Sequence, residues 1–205
     1  MEQDKIIIRG ETAADYAAVE RLTREAFWNV YRPGCTEHYV LHVLRRSSGF
    51  VPELDLVMEL DGRLVGHIIY MRSHISACDG REIPVMTFGP LSISPEYQHI
   101  GLGSLLLRES MARARALGAG ALCIEGNPKF YGRAGFSAAC EHGISCDGAE
   151  PSPYFLLAEL EPGYLDGVSG VYHTPRAYFV DEDEAARFDS RFPPREKLRL
   201  PGQLF

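Results

Sequence analysis

The fold is decided by the stretch from Phe88 to Phe136, and above all by its segment Gln98-His99-Ile100-Gly101-Leu102-Gly103. An apolar run, Val85 to Ile93, is typical of a strand and leads through this turn into a helical pattern, Ser104 to Leu117. Glycine has no Cβ, so the two glycines allow unusual backbone angles and close approach of a ligand. The first amides of a helix have no partner within it and lie at the positive end of its dipole. The turn is therefore predicted to hold a phosphate or pyrophosphate with its backbone.

The chain on either side of this turn predicts a mixed α/β fold. Upstream, a short β-branched run and two helical patterns lie between Ile6 and Arg46. An antiparallel meander of three strands follows between Leu54 and Ile93, and its turn Asp61-Gly62 favours a type I′ hairpin. Downstream, the helix and a short buried strand, Ala121–Ile124, complete a parallel crossover.

The last third of the chain is less regular. Its predicted elements are a loop from Glu141 to Pro153, a strand from Tyr154 to Leu160, two short strands at Val171–His173 and Ala177–Val180, and a helix from Asp181 to Phe188. We expect residues 1–160 to form the main domain and residues 161–205 to form a C-terminal extension packed on it.

Charge and hydropathy restrict the partners. The 205 residues are 45% apolar and 24% charged, with a net charge of −7. Duplex nucleic acid is not an expected partner, because no basic excess is present to neutralise its backbone. A cationic amine would suit an acidic protein. No apolar run reaches the roughly 20 residues that span a bilayer, so no membrane partner is expected either.

The cysteines and the amino terminus indicate the compartment. Five cysteines are scattered along the chain without a C-x-x-C pair, which speaks against a disulfide framework or a zinc site and fits a reducing environment. The start of the chain, Met1 to Lys5, has no basic region followed by an apolar run, so no secretory signal is predicted. The expected location is the cytoplasm, and no metal is expected to take part.

Two sequence blocks resemble the GCN5-related N-acetyltransferase (GNAT) family. Its signature, Gln or Arg, two residues, Gly, one residue, then Gly or Ala, is matched by Gln98, Gly101 and Gly103. Its second block, a Tyr followed by a segment ending in Gly-Phe, is matched by Tyr131 to Phe136. The close match covers about Val85 to Ala139. The order of predicted elements extends the resemblance to a GNAT-like acyl-CoA N-acyltransferase fold with a C-terminal extension.

The resemblance implies transfer of an acetyl group from acetyl-CoA to a primary amine of a small molecule or protein. The pyrophosphate of coenzyme A would lie on the turn, and the amide-bearing pantetheine arm would add like a strand beside the end of the third meander strand. Gly89-Pro90 should bulge that strand and open the sheet there. The implied coenzyme-binding residues are Leu91, Ser92, Ile93, Gln98, His99, Ile100, Gly101, Leu102, Gly103, Ser104, Asn127 and Tyr131.

The implied chemistry needs a polarised thioester, a proton for the departing thiolate and a base for the amine. A backbone N–H of Leu91 to Ile93 could act as the oxyanion donor. Tyr131 matches the family's general acid, since a phenol can donate a proton at neutral pH. The strand Val85 to Ile93 carries no carboxylate, so Glu125 at the end of the next strand is the candidate base. A water chain ending on a backbone carbonyl is the alternative.

Two other phosphate-binding motifs and a non-catalytic role are alternatives for the same residues. Gly101-Leu102-Gly103 followed by Glu125 mimics a dinucleotide-binding fingerprint, but the third glycine position is Leu106 and the turn follows an antiparallel meander. A P-loop fails because no Gly-Lys-Ser/Thr is present. A non-catalytic acyl-CoA-binding sensor would keep the phosphate turn and lose the acid, so Tyr131 favours catalysis. The sequence leaves open which acceptor is used and which oligomer forms, with a homodimer among the options.

Overall fold

The computed structural model of the chain describes residues 5–147 and 152–203. The predicted absence of a secretory signal at Met1–Lys5 falls almost wholly outside them. The elements in chain order are β1 (Ile6–Gly10), α1 (Tyr16–Phe27), α2 (Glu37–Leu44), β2 (Leu56–Leu60), β3 (Arg63–Ala77), β4 (Glu82–Ile93), α3 (Leu102–Ala116), β5 (Ala121–Glu125), α4 (Pro128–Tyr131), β6 (Ser137–Ala138), β7 (Ile144–Cys146), β8 (Phe155–Glu159), β9 (Gly170–His173) and α5 (Glu182–Asp189).

One mixed sheet joins all nine strands of the described residues. Seven of them lie side by side in the order β1-β2-β3-β4-β5-β8-β6, and β9 and β7 are attached beside β3, off this path. The first four strands are antiparallel neighbours, and β5 joins β4 in parallel after the crossover through α3. The first hairpin has positive φ at both Asp61 and Gly62, which is the type I′ geometry expected from the sequence. The predicted mixed α/β architecture and meander are therefore confirmed.

The long strand β3 separates two cores. Successive side chains of a strand point to opposite faces, and Ile68 and Tyr70 pack into the core that α3 covers. The alternate residues Ile69 and Met71 pack against α2 on the other face. Each fully buried side chain of this size contributes roughly 1.5–3 kcal/mol. The sheet is thus fixed between α3 on one side and α1 and α2 on the other.

Helix α3 is set by its apolar spacing and by two glycines. Its buried positions recur every three or four residues: Leu102, Leu106, Leu107, Ser110 and Ala114. It begins after Gly101 at φ +96° and ends before Gly118 at φ +87°. Both are left-handed conformations that favour glycine. This fixes where the amino end of the helix lies relative to β4.

The chain after residue 160 adds to the sheet and to the helical layer. Strand β9 pairs antiparallel with β3, and β7 pairs in parallel with β9. Helix α5 is tied to α1 by Arg24 and Asp189, whose Nε and Oδ1 atoms are 2.6 Å apart. The division between main domain and extension at residue 160 stays a prediction.

Two local predictions in this region are wrong. Within the predicted loop Glu141–Pro153, Ile144–Cys146 forms β7, because β9 offers it a partner strand that local sequence does not reveal; residues 148–151 lie outside the described part. The predicted strand Ala177–Val180 is replaced by a 3₁₀ turn, Arg176–Tyr178, that follows Pro175. Tyr178 in that turn is half-buried against α2, and Phe179 directly after it is exposed. The apolar residues of this segment therefore belong to a turn and not to a strand.

None of the helices in the described ranges is both long enough and apolar enough to cross a bilayer.

Candidate active site

An opening between β4 and β5 forms the centre of the candidate site. The two parallel strands pair only at Met86 with Leu122 and at Thr87 with Cys123, although β4 continues to Ile93. On its other edge β4 pairs with β3, and there Phe88 pairs with Tyr70 and Leu91 pairs with Ile68. Two residues of β4, Gly89 and Pro90, therefore lie opposite the single residue Ile69 of β3. This is the predicted bulge. Beyond it β4 leaves one edge without β5, where an extended ligand with amide groups can bind.

The glycine turn lies at the far end of this opened edge. His99 has φ +63° and Gly101 has φ +96°, so the backbone curls before α3 begins at Leu102. Among the described residues no side chain caps that helix end. Its first amides are therefore available to an anion at the positive end of the dipole.

The side chain of Gln98 acts within the protein. Its Nε2 donates to the carbonyl oxygen of Ile93 at 3.0 Å, which fastens the turn to the end of β4. A Cβ on Gly103 would make ordinary van der Waals contacts, 3.5 Å from Ile93 and 3.6 Å from Phe130. The glutamine thus shapes the turn, and the predicted anion contacts fall to backbone amides from His99 to Ser104.

Leu91, Ser92 and Ile93, the predicted coenzyme contacts on β4, can reach a ligand only with backbone groups or by apolar packing. Leu91 is half-buried and Ile93 is buried. Ser92 is fully buried, and its Oγ donates to Oγ1 of Thr23 on α1 at 3.0 Å. Its hydroxyl is therefore used in joining α1 to the sheet.

Tyr131 is placed beside the opening by a short capped helix. The Oδ1 of Asn127 accepts from the N–H of Lys129 at 2.9 Å, which caps α4, and Pro128 occupies its first position. The ring of Tyr131 lies over Gly126, where a Cβ would come 2.2 Å from its Cε2 atom. Asn127, predicted as a coenzyme contact, therefore also positions the predicted acid.

The surroundings of Tyr131 keep its phenol neutral. Its ring packs edge-on against Phe88, with 5.7 Å between the centroids, and against Phe130 and Phe136 at 4.9 and 5.6 Å. Burial raises the pKa of Tyr131 well above its ordinary value near 10. A phenol in this setting is protonated at neutral pH and can donate its proton to a developing anion.

Glu125 lies exposed at the end of β5, opposite Phe155 of β8. Its charge contributes to the raised pKa of the Cys146 thiol, which is raised chiefly by burial. The carboxylate is thus on the same face as β7 and β9, at the edge of the opening. Its role as a base stays a prediction.

Sequence reasoning missed one residue of this site. The hydroxyl of Tyr178 donates to the carbonyl oxygen of Gly89 at 3.0 Å, across 89 positions of sequence. No motif surrounds Tyr178, and the local sequence predicts a strand there. Only the pairing of β9 with β3 brings it to the bulge.

A second polar cluster lies away from the opening. Glu11, Asp55 and His67 each present a metal-ligand type of atom within 4.8 Å of the others. The guanidinium of Arg45 reaches Oε1 of Glu11 at 2.6 Å and supplies a positive charge there. His67 Nε2 is 2.7 Å from Oδ1 of Asp55. Through these buried polar side chains the cluster links four places: the ends of β1 and α2, the start of β2, and the first half of β3.

Comparison with known proteins points in one direction. Residues 53–138 match the family described as Acetyltransferase (GNAT) domain. The chain is 25% identical over 170 residues to Escherichia coli (strain K12) "Uncharacterized N-acetyltransferase YhbS", with 82% of this chain and 96% of the relative covered. It is 31% identical over 109 residues to "Uncharacterized N-acetyltransferase YjhQ" from the same strain, with 53% and 56% covered.

Two solved structures share the fold over most of the chain. The Escherichia coli GNAT family N-acetyltransferase YhbS in complex with CoA has a TM-score of 0.76 at 23% identity, covering 87% of this chain and 94% of that one. A GNAT family acetyltransferase from Brucella melitensis in complex with acetyl-CoA has a TM-score of 0.68 at 27% identity, covering 86% and 100%. The fold class predicted from the sequence is confirmed.

Proposed function

We propose that the chain is an acetyl-CoA-dependent N-acetyltransferase of the GNAT family, and that it moves an acetyl group directly to a primary amine of a small molecule or protein within a ternary complex. The observation that carries the proposal is the combination of a positive-φ helix entry with an opened strand edge and a partly buried phenol. Acetyl-CoA would supply an activated acyl group as a thioester.

The residues fit this co-substrate in two places. The amides from His99 to Ser104 would hold the pyrophosphate, with the turn braced by Gln98 on Ile93. The free edge of β4 at Leu91 to Ile93 would bind the pantetheine amides and offer an N–H to the carbonyl oxygen that gains charge. Both sets of groups belong to the backbone, so they are fixed before ligand arrives.

Proton transfer would involve two side chains. Tyr131 would give its proton to the departing sulfur as the carbon–sulfur bond breaks, since its phenol is neutral in the resting protein. Glu125 at the edge of the opening would accept the proton that the amine loses. Asn127 would assist by holding α4, and with it Tyr131, in place.

Turnover is tested by following free thiol release from acetyl-CoA with a panel of amines: spermidine, tryptamine, an aminoglycoside, and peptides with a free α-amino group or a lysine. Because Cys78 and Cys140 are exposed, a reaction without acetyl-CoA gives the protein's own thiol signal. We expect release that depends on an amine, together with an acetylated product by mass spectrometry. Acetyl-CoA binding without turnover on any amine would favour a sensor and overturn the enzymatic proposal.

The ternary mechanism has its own test. Initial velocities measured at several concentrations of both substrates should give intersecting lines if both are bound before transfer. Parallel lines would indicate an acyl-enzyme and contradict direct transfer.

The cytoplasm is the compartment we propose. All five cysteines are free thiols, including the buried Cys35 and Cys123, which suits a reducing environment.

A further inference from the structure

Tyr178 comes to the opening from the C-terminal part of the chain. The 3₁₀ turn Arg176–Tyr178 directly follows β9, which pairs with the second half of β3. The ring packs beside Ile69 and Met71 of β3 and beside α2. Its hydroxyl reaches through this packing to the Gly89 carbonyl at 3.0 Å.

The bulge explains why this carbonyl needs a partner. Gly89 and Pro90 face the single residue Ile69, so the antiparallel register of β3 and β4 passes over them. A buried backbone carbonyl without a partner costs stability, and a phenol is a strong donor. The hydrogen of Tyr178 is thereby committed to Gly89. The side chain of Thr87 hydrogen-bonds to the same phenol and engages one lone pair of its oxygen, which leaves the second lone pair to accept a hydrogen bond.

Two phenols flank β4 at this point, from opposite faces of the sheet. Tyr131 packs on Phe88 within the core on the α3 side. Tyr178 packs with α2 and β3 on the other side. Burial raises the pKa of Tyr178, and the nearby Tyr131 adds to this effect. If Tyr131 serves the thioester, Tyr178 lies where the second substrate approaches.

We propose that Tyr178 binds the acceptor, its hydroxyl oxygen taking a hydrogen bond from an N–H of the attacking amine. This inference rests on the proposed function. Because the phenol's own hydrogen lies on the Gly89 carbonyl, Tyr178 orients the nitrogen lone pair and removes no proton. The acceptor class is thus an amine that keeps an N–H for Tyr178 when its lone pair points at the thioester, and the C-terminal extension sets its position.

The test compares Tyr178→Phe with Tyr164→Phe. Tyr164 also lies beyond residue 160, and its hydroxyl donates to the carbonyl of Pro84 on the same strand, at 2.7 Å and away from the opening. With the best amine of the panel as probe, we expect Tyr178→Phe to raise the KM for the amine about five- to tenfold, the value of one hydrogen bond. Its Kd for acetyl-CoA should stay within about twofold of the wild type. Tyr164→Phe should change neither constant.

The outcomes separate this inference from the function on which it rests. Wild-type turnover with an unchanged amine KM in Tyr178→Phe overturns the role of Tyr178 alone. Equal losses of acetyl-CoA affinity and of thermal stability in Tyr178→Phe, without a selective effect on the amine, assign it to structure and overturn the role as well. Binding of acetyl-CoA by the wild type without turnover on any amine overturns the proposed function, and this inference with it.

Discussion

Tyr131 shows how burial makes an ordinary side chain suited to one task. Four consecutive residues, Asn127 to Phe130, turn the chain so that its ring lies over Gly126 and against Phe88. The apolar surroundings raise its pKa, so the phenol keeps its proton in the resting protein. A phenol that is already neutral in the resting protein is suited to acid catalysis.

We predict that Tyr131→Phe lowers kcat by about 100-fold, the smaller end of the range for general acid catalysis, with little change in the Kd for acetyl-CoA. The matched control is Tyr70→Phe. Tyr70 is also buried and packs on Phe88, with 5.2 Å between the centroids, but its hydroxyl pairs with Ser110 at 2.8 Å. The control should lose about 1 kcal/mol of stability and keep its kcat. Equal kcat values for wild type and Tyr131→Phe at every pH would contradict the acid role.

At the scale of elements, the decisive unit is the turn that joins β4 to α3. Its parts are local in sequence: a strand end, a glycine at positive φ and a helix with regular apolar spacing. For this reason the turn, α3 and the first hairpin could be predicted from the sequence alone. Periodicity and glycine positions carry that information within about 30 residues.

We predict that Gly101→Ala raises the Kd for acetyl-CoA at least tenfold, because alanine resists φ +96° and the first amides of α3 would reorient. Gly80→Ala is the control. Gly80 has φ +89° in the turn between β3 and β4, and a Cβ has open space at both glycines. Both variants should lose about 1–2 kcal/mol of stability. Isothermal titration should show weaker binding only for Gly101→Ala, and similar affinities for the two variants would argue against an anion site at the turn.

Elements formed by remote pairing were beyond prediction from sequence. Strand β7 exists because β9 lies beside it, and its own three residues do not reveal it, whereas the sequence does predict β9, as a strand at Val171–His173. Ser92 is predicted as a coenzyme contact, but its hydroxyl donates to Thr23, 69 positions away, so only its backbone remains for that contact. Tyr178 meets Gly89 across a still longer separation. The geometry of the turn before α3 could be predicted from local sequence, whereas the place of Tyr178 depends on the assembled sheet.

At the scale of the whole molecule, buried charges link the layers. Glu11 of the β1–α1 segment pairs with Arg45 beyond α2, and both side chains are almost completely buried. Burial raises the pKa of Glu11 to about 7, with a hydrogen bond to Asp55 adding to the effect. Burial lowers the pKa of His67 to about 4. The two groups therefore make opposite contributions to the dependence of stability on pH.

The signs follow from proton binding. Folded Glu11 holds its proton more tightly than in the unfolded chain, so its contribution falls as pH rises from about 4.5 to 7. Folded His67 binds its proton less tightly, so its contribution is lost as pH falls from about 6.5 to 4. Between about pH 4.5 and 6.5 the two groups change the free energy of unfolding in opposite directions.

We predict that Glu11→Gln reveals the pH dependence of the free energy of unfolding that comes from His67. The free energy of unfolding of the variant, relative to the wild type, should rise by about 1.4 kcal/mol per pH unit between pH 4.5 and 7, or roughly 3 kcal/mol in total. Urea titrations at several pH values measure this difference. A difference that is constant across the range would show that Glu11 titrates normally in the folded protein.

We propose that the backbone between His99 and Ser104 holds the diphosphate of an acyl carrier. A crystal structure of the protein with acetyl-CoA would show where the diphosphate binds. We expect the diphosphate oxygens within hydrogen-bond distance of amides in that segment, with the pantetheine arm along the free edge of β4. A diphosphate bound elsewhere, or no ligand density after soaking at saturating acetyl-CoA, would contradict it.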